Sequence, residues 1–321
     1  MSSGTGGSPS VPVLRIEGAV RLARAVSGLL IDHPFPGSNR LRRMIAKRLM
    51  PQPTGPVIVP TEEGCSLLVD PSVDRGLDRE LFYQGVYEAG TLHVMRHLLR
   101  PGDVFLDVGA NVGLMTVVAA RFVGPMGRVY AFEPVQGTAR LLERNVALNN
   151  ASNVEVVPMA LGARRERRVI TEHLETHRGA ASFATGRQGS GSEEVPVETL
   201  DAFVRERGLE GRVRLVKIDV EGWEEQVLAG GEGVLSELAV PALIVEHSTA
   251  LHPAGGPANG LYDALRRVND YRIFCLERGK ETRSRLREIR SERDLPAEDN
   301  LVCLGASHLS EARIRALLAV G

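Results

Sequence analysis

The chain has no basic excess. Its formal net charge is −1, and nucleic-acid binding goes with a clear surplus of Lys and Arg, so a nucleic-acid partner is not expected. Lysine is scarce, at Lys47, Lys217 and Lys280 only, and arginine supplies nearly all other positive charge. That bias is read as compositional. The three cysteines, Cys65, Cys275 and Cys303, are far apart, odd in number and set among apolar residues. They form no disulfide framework or metal-ligand set and fit a reducing cytoplasm. The apolar residues from 11 to 31 are interrupted by Arg15, Arg21 and Arg24, which argues against a signal-peptide core and a transmembrane span and favours an amphipathic helix. His93 and His97 have a zinc-compatible spacing but no acid or third ligand, so they read as surface or packing histidines. Aromatics are few, yet 43% hydrophobic residues over 321 positions are ample for a core.

What is present centres on residues 104–134, VFLDVGANVGLMTVVAARFVGPMGRVYAFEP. The apolar run 104–108 closed by glycine predicts a buried strand. The chain then turns through Gly109, Asn111 and Gly113, residues that tolerate positive φ or close backbone approach. Residues 112–123 are almost continuously apolar, as in a helix packed on a sheet. A second strand, 128–132, ends in Glu133. In this βαβ unit the helix N-terminus offers free N–H groups above the strand ends. An acid about 20 residues beyond the glycines suits ribose hydroxyls. A nucleoside-containing cofactor is therefore expected; the alternative is an ordinary crossover.

The remaining pattern alternates strands and helices and predicts an α/β, doubly wound, Rossmann-like sheet. Seven strands are expected, mostly parallel, the last two forming an antiparallel edge pair. Residues 1–10 read as a disordered tail and 11–80 as an extension of two helices and a hairpin. Its second helix, NRLRRMIAKRLM, carries five cations on its polar side. Residues 81–321 form the main domain, in which the polar segment 164–194, with His173 and His177, is a surface excursion or a lid.

Ligands of open α/β sheets bind outside the strand carboxyl ends. Those ends carry Asp107, Glu133, Ala160, Asp219, Glu221, Glu246 and His247. Each acid also has a structural reading: Asp107 bonding turn amides, and Asp219 or Glu221 capping the next helix. Trp223 reads as core.

Several phrases in order then resemble the FkbM-type S-adenosylmethionine-dependent methyltransferases: YQGVYEAGT, FLDVGANVGL, GRVYAFEP, NVEVVPMALG, GAASF, VETLDAF, KIDVEGWEEQVLAGG and PALIVEH. KIDVEGWEEQVLAGG is the most distinctive; FLDVGANVG with AFEP is shared across class I methyltransferases. The resemblance implies that Asp107, Gly109, Asn111 and Gly113 form the loop beneath the methionine and ribose of S-adenosylmethionine. It implies that Glu133 holds the ribose hydroxyls, Ala160 lies near the adenine, Glu88 stands at the cofactor's edge, and Asp219 borders the methyl group and acceptor.

The implied reaction is O-methylation of a small-molecule hydroxyl on a secondary metabolite, macrolide-like or sugar-containing. A free alcohol is a poor nucleophile, so a base or a metal is needed, and Asp219, His247 and Glu246 are the candidates. Direct proton removal by His247 or Asp219 is preferred to magnesium on Asp219 and Glu246, because only two oxygen ligands can be named. The competing functions are an NAD(P)-linked oxidoreductase, disfavoured by Asn111 and the lack of a Tyr-x-x-x-Lys pair, and a non-catalytic nucleoside-binding module. A homo-oligomer is left open.

Overall fold

The computed structural model describes residues 11–33, 35, 37–74, 76–172, 191–236, 241–249 and 260–318. Its N-terminal part holds helices α1 (Gly18–Asp32) and α2 (Ser38–Leu49), the hairpin β1 (Val57–Pro60) and β2 (Ser66–Val69), then α3 (Leu77–Gln84) and α4 (Ala89–Leu98). The expected βαβ unit follows as β3 (Val104–Val108), α5 (Leu114–Val123) and β4 (Arg128–Phe132), continued by α6 (Gln136–Leu148) and β5 (Val154–Val157). Next come three strands of a small side sheet, β6 (Ala160–Leu161), β7 (Glu166–Glu172) and β8 (Gly191–Glu198). After α7 (Leu200–Glu206) the chain runs through β9 (Val213–Ile218), α8 (Glu224–Ala229), α9 (Glu232–Leu235), β10 (Ala242–Ser248) and α10 (Gly260–Val268). It closes with β11 (Arg272–Leu276), β12 (Leu286–Ile289), β13 (Glu298–Leu304) and two short helices, α11 (Ala306–Leu309) and α12 (Ala312–Arg315).

The main sheet is mixed, with eight strands in the order β12-β11-β13-β10-β9-β3-β4-β5. The five from β5 to β10 pair in parallel, and β13 is antiparallel to both β10 and β11. Two expectations change here. The strand count is eight rather than seven, because the charged stretch around Leu286 and Ile289 pairs antiparallel with β11. Four residues are too short for a legible alternation. The last two expected strands do pair, but β13 lies inside the sheet and β12 takes the edge.

Both faces of the sheet are covered. On one, Phe105, Leu215, Ile244 and Val302 share a cluster with α4, α5 and the N-terminal elements, including Ala23, Ile31, Ala46, Val59 and Leu81. On the other, Leu106, Val216, Val245 and Cys303 pack on Phe203, Val227 and Leu265 of α7, α8 and α10. Strands buried on both faces are what continuous apolar runs produce. The boundary expected at residue 80 falls within α3.

Of the five α2 cations expected on the polar side, Arg42 is instead buried at 7% exposure, on the face of Ala46 one turn later. Glu80, Glu281 and Glu62 compensate its charge. In segment 164–194, residues 166–172 and 191–198 are paired strands rather than loop. His173, His177 and GAASF lie outside the described residues. No described helix is long and apolar enough to cross a membrane.

Candidate active site

The strand ends meet a cavity of about 500 Å³. Nearly every expected site residue lines it: Glu88, Asp107, Gly109, Asn111, Glu133, Ala160, Asp219 and Glu246. Gly113 sits just behind as the residue preceding α5, at φ +93°, where a Cβ would collide with Leu142. His247 is the exception. Successive strand residues point to opposite faces, and both Glu246 and Ser248 line the cavity. His247 accordingly lies on the far face with Val245, 3% exposed.

The floor is built by local backbone geometry. At Gly109, φ is +83° and a Cβ would collide with the carbonyl of Asp219, so bare backbone is required where β3 and β9 end side by side. The Asn111 N–H donates to Glu133 Oε2 and the Val135 N–H to Oε1, each at 3.0 Å. Burial pushes the Glu133 carboxyl up to about 7 even against those two bonds. Asp107 does not bond turn amides. Its Oδ2 accepts from the Thr116 hydroxyl at 2.6 Å, while Oδ1, fully buried, has no hydrogen-bond partner among the described residues. Asn145, inside α6, accepts from the Leu68 N–H at 2.7 Å and donates to the Val112 carbonyl at 2.8 Å, which locks the turn against β2.

Helix capping is likewise settled by geometry. Thr199 Oγ1 caps α7 through the Ala202 N–H, and Asp201 accepts from Gly233 and Val234 at the start of α9. Before α8 it is Glu224, not Asp219 or Glu221, that accepts from the Val220 and Gly222 N–H groups at 3.1 Å. Asp219 is held instead by Lys217, whose Nζ is 2.6 Å from Oδ2. Burial works to raise Asp219, but the ammonium groups of Lys217 and Lys280 outweigh it and keep the carboxylate ionised. Glu246 is driven the other way, chiefly by the Asp219 charge and then by burial. Its Oε1 lies 2.9 Å from Lys280 Nζ.

Carboxylate oxygens of Asp219, Glu221 and Glu246 lie within 4.8 Å of one another, close enough to share a cation. Two ammonium groups already stand against Asp219 and Glu246. Positive φ marks the same rim: Glu88, Asn111 and Glu221 are three of the four non-glycine residues described with it, and such strain gathers at functional sites.

Lys217, Lys280 and Trp223 are the contributors that sequence reasoning missed. The signal was present for the lysines: in a chain that otherwise uses arginine, two of three lysines line this cavity. Trp223 is cavity wall rather than plain core, with the Arg168 guanidinium 4.3 Å above its ring. With Ala160 and Ile170, which also line the cavity, it packs in a small apolar cluster.

Residues 107–273 match the family model described as the methyltransferase FkbM domain. Among curated proteins, the chain is 29% identical over 225 residues to the AMB antimetabolite synthetase AmbE of Pseudomonas aeruginosa, covering 59% of this chain and 10% of that one. It is 27% identical over 172 residues to Methyltransferase 1 of Beauveria bassiana, covering 48% and 66% respectively. It is 31% identical over 185 residues to the 31-O-demethyl-FK506 methyltransferase FkbM of Streptomyces tacrolimicus, covering 49% and 68%. The chain thus spans a tenth of the synthetase and just under two thirds of the fungal methyltransferase.

Proposed function

The chain belongs to the FkbM methyltransferase domain family, and on that premise we propose that it moves a methyl group from S-adenosylmethionine to a hydroxyl oxygen of a small molecule. The observation that carries this is that one cavity joins Asp107, Gly109, Asn111 and Glu133 to Asp219 and Glu246. The residues suit the cofactor: a floor where no side chain fits at Gly109, a buried Asp107 oxygen in want of a donor, and an apolar cluster at Ala160.

Glu133 would accept the ribose hydroxyls, the 109–113 turn would support the methionine side with Glu88 at its edge, and Ala160 with Trp223 would enclose the adenine. When bound, S-adenosylmethionine supplies a methyl group on an activated sulfonium leaving group. The protein's work is then to hold the acceptor oxygen in line, exclude water and receive its proton. The Asp219–Glu246 pair receives that proton, since His247 lies on the other face of the sheet.

We take the reaction to be metal-free, because Lys217 and Lys280 already supply the charge a cation would bring to these two carboxylates. Methyl transfer should be unchanged by chelator; loss on chelation and recovery with magnesium would reinstate the metal. A secondary metabolite acceptor is favoured by the 31-O-demethyl-FK506 methyltransferase relative, whose name places its methyl group on oxygen. Three buried free thiols fit a cytoplasmic setting. Calorimetric titration with S-adenosylmethionine tests the cofactor, and a methylation screen with mass-spectrometric readout tests the acceptor. Absence of cofactor binding would end this reading.

A further inference from the structure

We infer that Lys280 is a positioning residue of the methyl-transfer site: its ammonium ties cofactor-side Glu88 to acceptor-side Glu246 and sets how readily Glu246 takes up a proton. This rests on the methyl-transfer reading above. Lys280 comes from the turn between β11 and β12, remote in sequence from every motif at the cavity. Its Nζ lies 2.9 Å from Glu246 Oε1, 3.4 Å from Glu88 Oε1 and 3.6 Å from Glu298 Oε1.

A lysine serving only as a loose counter-charge needs no fixed backbone, because its stem is long and flexible. Here the backbone is held in place. The Lys280 carbonyl accepts from the Gly90 N–H at 2.9 Å and from the Thr91 N–H at 3.4 Å. A Cβ at Gly90 would come within 2.5 Å of the Thr282 carbonyl and 2.9 Å of the Lys280 carbonyl, so the turn seats directly on the first turn of α4. Next to it, Glu281 accepts the Glu88 N–H at 3.2 Å.

The two lysines of the cavity differ in their duties. Lys217 is fully enclosed beside Asp219, whereas Lys280 is shared among three carboxylates. Glu246 faces Asp219 just past the end of β9, Glu221 from the turn after it, and Lys280; Glu88 before α4 and Glu298 of β13 share that lysine with it, and Lys217 pairs with Asp219. Two carboxylates this close resist double ionisation. The less firmly compensated one, Glu246, is the member that titrates, and Lys280 sets where it does so.

The test uses binding rather than turnover. S-adenosylmethionine carries a sulfonium charge that S-adenosylhomocysteine lacks, so their affinity ratio reports the charge on nearby carboxylates. In the wild-type protein the ratio should rise with pH as Glu246 ionises, by up to about tenfold per unit, and then level off. Lys280→Met should move the levelling point upward by about one pH unit or more, because removing a cation raises a neighbouring acid. Lys280→Arg should restore it, and Glu246→Gln should flatten the profile. A wild-type profile kept by Lys280→Met, no restoration by Lys280→Arg, or a pH-dependent ratio persisting in Glu246→Gln would each overturn the inference. Circular dichroism confirms that each variant is folded; should Lys280→Met not fold, Lys280→Arg and Glu246→Gln decide alone. Failure of the wild-type protein to bind S-adenosylmethionine would instead sink the methyl-transfer reading.

Discussion

The two ends of the cavity are built by different means. The end proposed for the cofactor is held by backbone: amides on Glu133, a glycine packed on a neighbouring carbonyl, a helix starting at the turn. The end proposed for the acceptor is held by charge, with Asp219 after β9 and Glu246 of β10 each set against an ammonium group. Backbone-held geometry tolerates almost no substitution but is little affected by salt or pH. Charge-held geometry survives most neutral replacements sterically and fails in its protonation.

The sharpest way to break this contrast is Asp219→Asn. It should lower methyl transfer by roughly 100- to 10,000-fold, the usual range for losing a proton acceptor, while calorimetry shows the cofactor still bound. Equal loss of binding and turnover would mean that the two ends are not separable. Next in size, Gly109→Ala should destabilise the fold by about 2–4 kcal/mol, from positive φ plus overpacking against the Asp219 carbonyl. Urea denaturation measures this, and a change well under about 1 kcal/mol would remove the backbone-held half of the comparison.

The smallest effect is the one exception to the contrast. Glu133 is held by amides, yet burial raises it to about 7. Its ionised form is the better acceptor for ribose hydroxyls, so cofactor affinity should fall as pH drops below that value, by up to about tenfold per unit. For stability the sign is opposite to that of a salt-bridged acid. A raised carboxyl binds more protons folded than unfolded, so its contribution is lost as pH rises from about 4.5 toward 7. Glu133→Gln should flatten both trends in calorimetry and thermal melts.

The same division explains what was legible in the sequence. Gly109, Asn111, Gly113 and Glu133 lie within one βαβ unit, where strand, turn, helix and terminal acid follow in order. Lys280 could not be read that way, because its partners Glu88, Glu246 and Glu298 stand before α4, on β10 and on β13. Only the scarcity of lysine hinted at it. His247 was a misreading that strand alternation already warned against, since adjacent residues of one strand cannot share a face. The extra edge strand β12 escaped because Leu286 and Ile289 are separated by two charged residues, too brief a pattern to distinguish from a turn.

The burial of Arg42 reaches further than the stability of α2. Its charge is compensated in part by Glu281, the residue that receives the Glu88 N–H, so the helical extension and the rim of the cavity are electrostatically linked. A chimera that grafts a relative's residues 11–50 onto this chain would have to bring its matching 279–283 turn as well. Without it, the graft would set a foreign side chain against Glu281 and disturb the pocket from behind.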